Sequence, residues 1–194
     1  MVRKDRKQLV LALIVVLVMF VLSFAFTSLY KTAQDNKNKK YVLDTSFKTS
    51  KNVYLENTLP ISNELGKQYD GSNIEDKIHG YNEFTIANNY SKNITYEVYL
   101  KENNKCEKVI DKSYVIFYLT NSKDEPLDGF KENKLPSFAS LPVLSDKPNA
   151  KLLYSGTIKN QSKEKFKLRV WVSDLYSINK DKECFSFDIY VRSV

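Results

Sequence analysis

Side chains able to perform acid–base chemistry are few in this sequence. His79 is the only histidine, so any catalytic triad that uses histidine would have to include this residue. An enzyme would need a pocket that gathers Asp70, Glu75, Asp76 and His79. A lone histidine in a polar loop is more often a solvated side chain, and no G-x-S-x-G, H-E-x-x-H, P-loop or dinucleotide-binding motif occurs. We therefore predict no catalytic residue, with an envelope enzyme as a weaker hypothesis.

The same loop is rich in oxygen ligands. The run from Asp70 to Asp76 reads Asp-Gly-Ser-Asn-Ile-Glu-Asp, and carboxylate and amide oxygens are the ligands that a hard cation such as calcium requires. The spacing does not match the EF-hand pattern, which favours a solvated turn. We predict no metal ion and no cofactor for this chain.

The two cysteines, Cys106 and Cys184, are far apart in the sequence. Neither lies in a C-x-x-C pair, so the spacing does not indicate a zinc site. In an exported domain, two cysteines indicate one disulfide. Cys106 falls in a predicted hairpin loop and Cys184 at the start of the last predicted strand, which makes pairing feasible. A bridge and two free thiols both remain open at this stage.

Trp171 is the only tryptophan. In the predicted strand Phe166–Val172, alternation places it on the face of Lys167 and Arg169, opposite the aliphatic face. An exposed tryptophan between cations would suit a binding anchor. In the alternative interpretation, the long loop or the stalk covers the ring, or Arg169 stacks over it.

The segment Asn121–Ala150 is predicted to be irregular, since it holds four of the five prolines. Long loops in compact domains are often functional, although the apolar residues of this one indicate that part of it packs down. We predict partner contacts at this loop and at any uncovered sheet edge. Phe130, Phe138, Arg169 and Trp171 are the candidate interaction residues.

One apolar run dominates the N-terminal part of the sequence. Leu9–Leu22 contains no polar residue, and hydrophobicity continues to Tyr30. At the helical rise per residue, Leu9–Tyr30 extends roughly 33 Å, enough to cross a bilayer core. A retained anchor and a cleaved signal peptide are the two interpretations. Ser23-Phe24-Ala25 offers small residues for cleavage, whereas Phe26 and Leu29 continue the run and favour an anchor.

Basic residues flank this run on both sides, so charge alone does not decide its orientation. Those before it lie closer to the run, and long C-terminal domains translocate largely regardless of charge. We therefore predict a cell-membrane protein with its N-terminus in the cytoplasm. The predicted organisation is a cytoplasmic tail at residues 1–8, a transmembrane signal anchor at 9–30, a polar linker at 31–40 and an extracytoplasmic domain at 41–194.

The net charge of +7 bears on the choice of partner. Basic residues are dispersed among acidic ones, and no basic helix or aromatic–glycine motif suggests nucleic acid. A basic outward-facing domain suits an anionic envelope polymer or a membrane surface, and ordinary solubility explains the charge equally well. We predict contact with membrane lipid through residues 9–30, a protein or anionic envelope-polymer partner, no nucleic acid, and a capacity for self-association.

The outer domain reads as a series of strands separated by turns, with no long helix. Adjacent strands of an antiparallel pair are expected at Tyr81–Asn88 and Ile94–Lys101. The fold class is predicted to be all-β: an antiparallel β-sandwich of immunoglobulin-like or jelly-roll type, preceded by one transmembrane helix. A small barrel is the alternative. The predicted strands are Lys51–Glu56, Tyr81–Asn88, Ile94–Lys101, Tyr114–Thr120, Lys151–Lys159, Phe166–Val172 and Phe185–Val191.

Four strand segments carry a family resemblance: Phe84–Asn89, Ile94–Leu100, Leu153–Ile158 and Phe166–Ser173. With their turn asparagines they resemble the camelysin/TasA-like exported β-sandwich proteins of low-GC Gram-positive bacteria, over about residues 80–194. The resemblance implies a sandwich in the cell envelope with a structural or adhesive role. It implies no catalytic residue, since H-E-x-x-H is missing here.

Two functions follow from these patterns. The first is a membrane-anchored, non-catalytic structural or accessory component of the bacterial cell envelope. The second is a secreted biofilm-matrix or fibre subunit released by cleavage near Ala25. In the first function the apolar run is retained as a membrane anchor, and in the second it is removed as a signal peptide.

Overall fold

The computed structural model describes most of the chain: residues 16–30, 41–56, 58–71, 80–103, 105–131, 134–177 and 183–194. The chain divides into two compact units, Met1–Lys40 and Tyr41–Val194. In the first unit, the described residues form a helix, α1, over residues 16–30. Within the described residues, no helix has the length and hydrophobicity needed to cross a membrane. Part of the predicted span Leu9–Tyr30 lies outside those residues.

The second unit is built from two antiparallel sheets and one short helix, α2 (Asn63–Gln68). The four-stranded sheet has the order β1-β3-β8-β5, and the five-stranded sheet has the order β2-β9-β4-β7-β6. The prediction of an all-β domain made of antiparallel sheets is therefore confirmed. The strands are β1 Asp44–Phe47, β2 Asn52–Glu56, β3 Gly80–Asn88, β4 Ile94–Glu102, β5 Val115–Asn121, β6 Val143–Leu144, β7 Lys147–Ile158, β8 Ser162–Val172 and β9 Cys184–Ser193.

Chain connections between these strands mostly cross from one sheet to the other. From β1 to β5, each strand lies in the sheet opposite to its predecessor, and among the described strands only β6 and β7 are consecutive neighbours in one sheet. The predicted pairing of β3 with β4 is therefore wrong: β3 pairs with β1 and β8, and β4 pairs with β7 and β9. The immunoglobulin fold differs, because it places several consecutive strands side by side.

The core lies between the sheets and follows the alternation of the strand sequences. Phe185, Phe187 and Ile189 of β9 point inward and are at most 1% exposed. Phe117 of β5 reaches across to Phe187, with ring centroids 5.5 Å apart. Burial of such a side chain contributes roughly 1.5–3 kcal/mol. This period of two leaves every second side chain on an outer face.

The long segment after β5 lies along the free edge of that strand. The backbone N–H of Phe117 donates to the carbonyl of Pro136 at 3.0 Å, and that of Phe138 donates to Val115 at 2.9 Å. Phe130 and Phe138 enter the core and are each 3% exposed. The prediction that this segment partly packs down fits these positions, whereas the prediction of the two phenylalanines as interaction residues does not, because the segment satisfies the edge strand and is anchored through both rings.

The outer face of the four-stranded sheet is covered by α2. Ser62 caps this helix by accepting a hydrogen bond from the N–H of Leu65, a common way to begin a helix. Gly66 lies against the indole of Trp171 so closely that a Cβ at this position would overlap three ring carbons. Trp171 is 1% exposed. It is therefore a packing residue, and its predicted place on an interaction surface is wrong.

Arg169 is buried on the same face. Its guanidinium donates to the carbonyl of Tyr69 at 2.5 Å and to the hydroxyl of Thr120 at 3.1 Å, and it pairs with Asp124 at 2.6 Å. Its guanidinium carbon lies 5.7 Å from the ring centre of Tyr81. These contacts use three of its five N–H donors and hold the side chain 5% exposed, so the prediction of Arg169 as an interaction residue is also wrong.

Glu83 of β3 joins several side chains on this outer face. Its carboxylate is 2.6 Å from Lys165, accepts a hydrogen bond from Tyr81 at 2.8 Å and is 3.3 Å from Lys48. The hydrogen bond from Lys165 is the main cause that lowers the pKa of Glu83 to about 2, and partial burial opposes it. Glu83 is thus a charged crosslink between β3 and β8.

We expect Gly66→Ala to lower the free energy of unfolding by about 1–3 kcal/mol, because the added methyl group meets the Trp171 ring. Alanine is otherwise the better helix former. Urea unfolding of the full chain in neutral detergent, followed by Trp171 fluorescence, measures the change. Leu65→Ala in the same helix is the control, since Leu65 is exposed. A Gly66→Ala variant as stable as the parent would show that α2 does not pack on Trp171.

We expect Glu83→Gln to weaken the acid sensitivity of the fold. The pKa of Glu83 lies below that of an unfolded glutamate, about 4.3. Its stabilisation is therefore present at neutral pH and is lost as the pH falls from about 4.5 towards 2.

The variant should be roughly 1–3 kcal/mol less stable than the parent at pH 7 and nearly equal to it at about pH 2. Unfolding free energies at both pH values test this, with the exposed Glu107→Gln as control. If the parent and Glu83→Gln lose the same unfolding free energy between these two pH values, Glu83 does not stabilise the fold through a lowered pKa.

Candidate functional site

The two cysteines form a disulfide. Their Cα atoms are 5.6 Å apart, a typical separation for a bridge. Cys184 begins β9, where its N–H donates to the carbonyl of Lys108 and its own carbonyl accepts from Ile110. Residues 108–110 thereby lie beside β9 beyond the end of β4. The bridge fixes this short extension of the five-stranded sheet.

Most of the polar loop that contains Asp70, Glu75, Asp76 and His79 lies outside the described residues. Glu75, Asp76 and His79 lie outside the described residues, and Asp70 lies exposed shortly after α2. Within the described part of the chain, no three His, Cys, Asp or Glu side chains are placed to hold a metal ion. The hypotheses of an enzyme and of a cation site at this loop therefore stay untested.

A groove lies at one end of the five-stranded sheet and is lined by residues from both faces of the sheet. Its volume is about 820 Å³, and a second depression of about 420 Å³ adjoins it. The two share Lys101, Pro148, Asn149 and Tyr190. Residues of β4, β7 and β9 line the groove together with Lys112, Phe138 and Ala139, which lie outside these strands. Within the unit Tyr41–Val194, the described helix α2 lies over Trp171 on the four-stranded sheet, and no described helix of this unit covers the outer face of the five-stranded sheet.

Two tyrosines stack at the centre of this face. Tyr99 and Tyr190 are directly paired across β4 and β9, and their ring centroids are 5.3 Å apart at an angle of 13°. The ammonium of Lys147 is 4.4 Å from the centre of the Tyr99 ring, and that of Lys51 is 4.8 Å from the Tyr190 ring. We call Lys51, Tyr190, Tyr99 and Lys147 the cation–aromatic stack. Its order follows the strand order of the sheet.

Asp188 lies beside this stack and is satisfied within the protein. Its carboxylate accepts hydrogen bonds from Asn52 at 2.9 Å, Asn103 at 3.2 Å and Tyr190 at 3.3 Å, and Lys51 is 4.0 Å away. Burial on its own raises the pKa of Asp188, but these interactions together hold it below the usual value. Asp188 therefore remains ionised and orients its neighbours.

The remaining charges leave the groove positive. Glu102 is paired with Lys112 at 2.5 Å. Lys151 donates to the main-chain carbonyls of Ala139 and Leu141 at 3.3 and 3.0 Å, and within the described parts of the chain it forms no ion pair with a carboxylate. Lys101 is exposed and has no ion-pair partner among the described residues. With Lys147, these lysines give the groove an excess of cations.

Chemically, the groove offers positive charge and N–H donors, which are suited to binding anionic groups. Alternation along the predicted strands Ile94–Lys101 and Phe185–Val191 puts Lys101 and Tyr190 opposite the apolar positions, but it gives no sign that the two residues meet. The signal that could have found the site is the occurrence of aromatic and basic residues on the polar face of two strands. Their juxtaposition depends on the pairing of β4 with β9, which the sequence did not reveal.

Comparison with known proteins identified no similar family, protein or structure. No protein-family model matches this sequence, and neither a curated protein nor a solved structure matches the chain. The resemblance of the strand motifs to the camelysin/TasA-like group therefore stays a prediction.

Proposed function

We propose that this protein is an exported β-sandwich binding module, tethered to the cell membrane by residues 9–30, which serves as a non-catalytic accessory component of the cell envelope. The observation that carries the proposal is the Cys106–Cys184 disulfide. Such bonds persist in oxidising compartments and are rare in the cytosol. The domain that holds the bridge would therefore face outward.

Two sequence features support the tether. The run Leu9–Tyr30 is long enough to span a bilayer core, and the basic residues next to its N-terminal end favour a cytoplasmic N-terminus. The basic linker of residues 31–40 would then separate the membrane from the domain that begins at Tyr41. This arrangement would present the groove outside the cytoplasm.

The groove supports a role in binding. Its carboxylates are paired or hydrogen-bonded internally, and Lys101 and Lys147 are exposed. Partners with anionic groups, either envelope polymers or proteins, fit this surface. The camelysin/TasA-like resemblance, with its structural or adhesive role, points the same way.

A secreted matrix or fibre subunit is the second candidate. The observation in its favour is Ser23-Phe24-Ala25, which offers small residues for signal-peptide cleavage. Intact-mass measurement of the cell-associated protein separates the two candidates. A mature chain beginning near Phe26 would support the secreted subunit and contradict the anchor.

We expect the bridge to form in living cells and to stabilise the domain. Alkylation of intact cells under denaturing acid quench should leave both cysteines unmodified until a reductant is added. The double variant Cys106→Ser/Cys184→Ser should lose about 2–4 kcal/mol of unfolding free energy, because the bridge closes a long loop. Treatment of the parent with reductant provides the matched comparison.

The single variant Cys184→Ser tests orientation. It leaves Cys106, which is half-buried, as a free thiol. A membrane-impermeant maleimide should label this thiol in intact cells if the domain faces outward. Labelling only after lysis, together with free thiols in the parent, would contradict the proposed function.

A further inference from the structure

We infer that the groove on the five-stranded sheet binds an anionic polymer, a glycan or polyol chain that carries repeated phosphodiester or carboxylate groups, with Lys101 and Lys147 as the principal contacts. This inference rests on the proposed function, because an outward-facing domain would meet such polymers. It goes further by naming the ligand class and the residues that recognise it.

Charge complementarity is the first argument. Lys101, Lys147 and Lys151 border the groove, and none of them is paired with a carboxylate among the described residues. Both acidic residues of the lining already have partners: Glu102 is paired with Lys112, and the ionised Asp188 accepts hydrogen bonds from two amides and lies 4.0 Å from Lys51. An incoming anion would thus meet uncompensated positive charge without repulsion from an unpaired carboxylate.

Preorganisation is the second argument. Lysine side chains normally lose much rotational freedom when they bind. Lys147 is already held over the Tyr99 ring at 4.4 Å and donates one hydrogen bond to the Tyr99 hydroxyl at 2.7 Å. An ammonium has three donors, so two remain for an anion. Lys51 is held in a comparable way over Tyr190. The stack therefore fixes cations in place while leaving donors free.

The shape of the surface favours a polymer over a small anion. The two depressions, of about 820 and 420 Å³, adjoin each other and share four lining residues. A chain with repeated anionic groups can lie along both and contact several lysines at once. Each additional contact then forms at a high effective concentration, which makes weak individual contacts sufficient.

The aromatic rings distinguish this ligand from single-stranded nucleic acid. Proteins that bind single strands stack bases on exposed aromatic faces. Here Tyr99 and Tyr190 stack on each other, and a lysine ammonium lies over each ring. Neither ring is free to receive a base. The rings position the cations, and the cations make the contacts.

The test uses the full chain in a neutral detergent and measures its binding to poly(glycerol phosphate) and to polygalacturonate. Dextran is the neutral polymer control, and oligo-dT and poly-L-glutamate are anionic chains of other classes. We expect both anionic polymers of the inferred class to bind, with affinity falling as salt increases, and we expect dextran not to bind.

Lys101→Gln/Lys147→Gln should weaken binding about tenfold, corresponding to loss of two charge-assisted contacts, and should flatten the salt dependence. The matched control is Lys123→Gln/Lys163→Gln, which removes two exposed lysines elsewhere and should leave affinity within about twofold if the groove is the site. Tyr190→Leu keeps an apolar side chain but removes the ring, so it should weaken binding severalfold. Retained Trp171 fluorescence and thermal unfolding establish that each variant is folded.

Lysine acetylation footprinting of the unsubstituted chain gives a second readout that does not depend on variants. Bound polymer should protect Lys101 and Lys147 and leave Lys123 and Lys163 reactive. Equal weakening by the control pair, absence of binding at low salt, or equally tight binding of oligo-dT or poly-L-glutamate would each overturn the inference. Failure of these binding tests would leave the disulfide and orientation results intact. Free cytosolic thiols would overturn the proposed function, while the polymer binding measured with the purified chain would be unaffected.

Discussion

The pleat of the strands is the constraint on which the rest of this domain depends. Because successive side chains point to opposite faces, each strand can give only one face to the core shared by the two sheets. Phe185, Phe187 and Ile189 occupy that core in β9, so Asp188 and Tyr190 must lie outside. A slip of one residue would exchange these sets and expose the aromatic layer. The positions of the outer groups are therefore fixed by the packing of the inner ones.

The outer faces of the two sheets differ in what covers their aromatic side chains. Above the four-stranded sheet, α2 covers Trp171, and Arg169 is buried among its hydrogen-bond partners. On the five-stranded sheet, Tyr99 is covered by Tyr190 and Lys147, and no described element of the unit Tyr41–Val194 closes the groove beside them. Packing thus makes the part of the first face around Trp171 and Arg169 inaccessible to a partner. It leaves the second accessible, with its charges in defined positions.

Segments that look like loops in the sequence complete both sheets. The chain beyond β5 pairs with that strand through Pro136 and Phe138, which protects an edge that could otherwise accept another strand. Residues 108–110 extend the other sheet beside β9, where the Cys106–Cys184 bridge fixes them. Structural roles of this kind explain why the residues predicted for interaction are buried, and why the candidate site lies elsewhere.

The sequence by itself determined most strands, because alternation over β3, β4, β8 and β9 needs no distant information. It also indicated the single disulfide as one of two alternatives, and it placed Trp171 on the outer face correctly. Short elements such as β1 and α2 escaped prediction, since their stability comes from packing against other parts of the chain.

Only the tertiary structure decided which strands are neighbours, and this matters most for the site. The wrong pairing of β3 with β4 followed from their adjacency in sequence, whereas the pairing of β4 with β9 joins residues nearly a hundred positions apart. That pairing stacks Tyr99 on Tyr190 and so places Lys51 and Lys147 on one surface. Periodicity reveals which face a side chain occupies but carries no information on its cross-strand neighbour, because pairing depends on the burial of the whole sandwich.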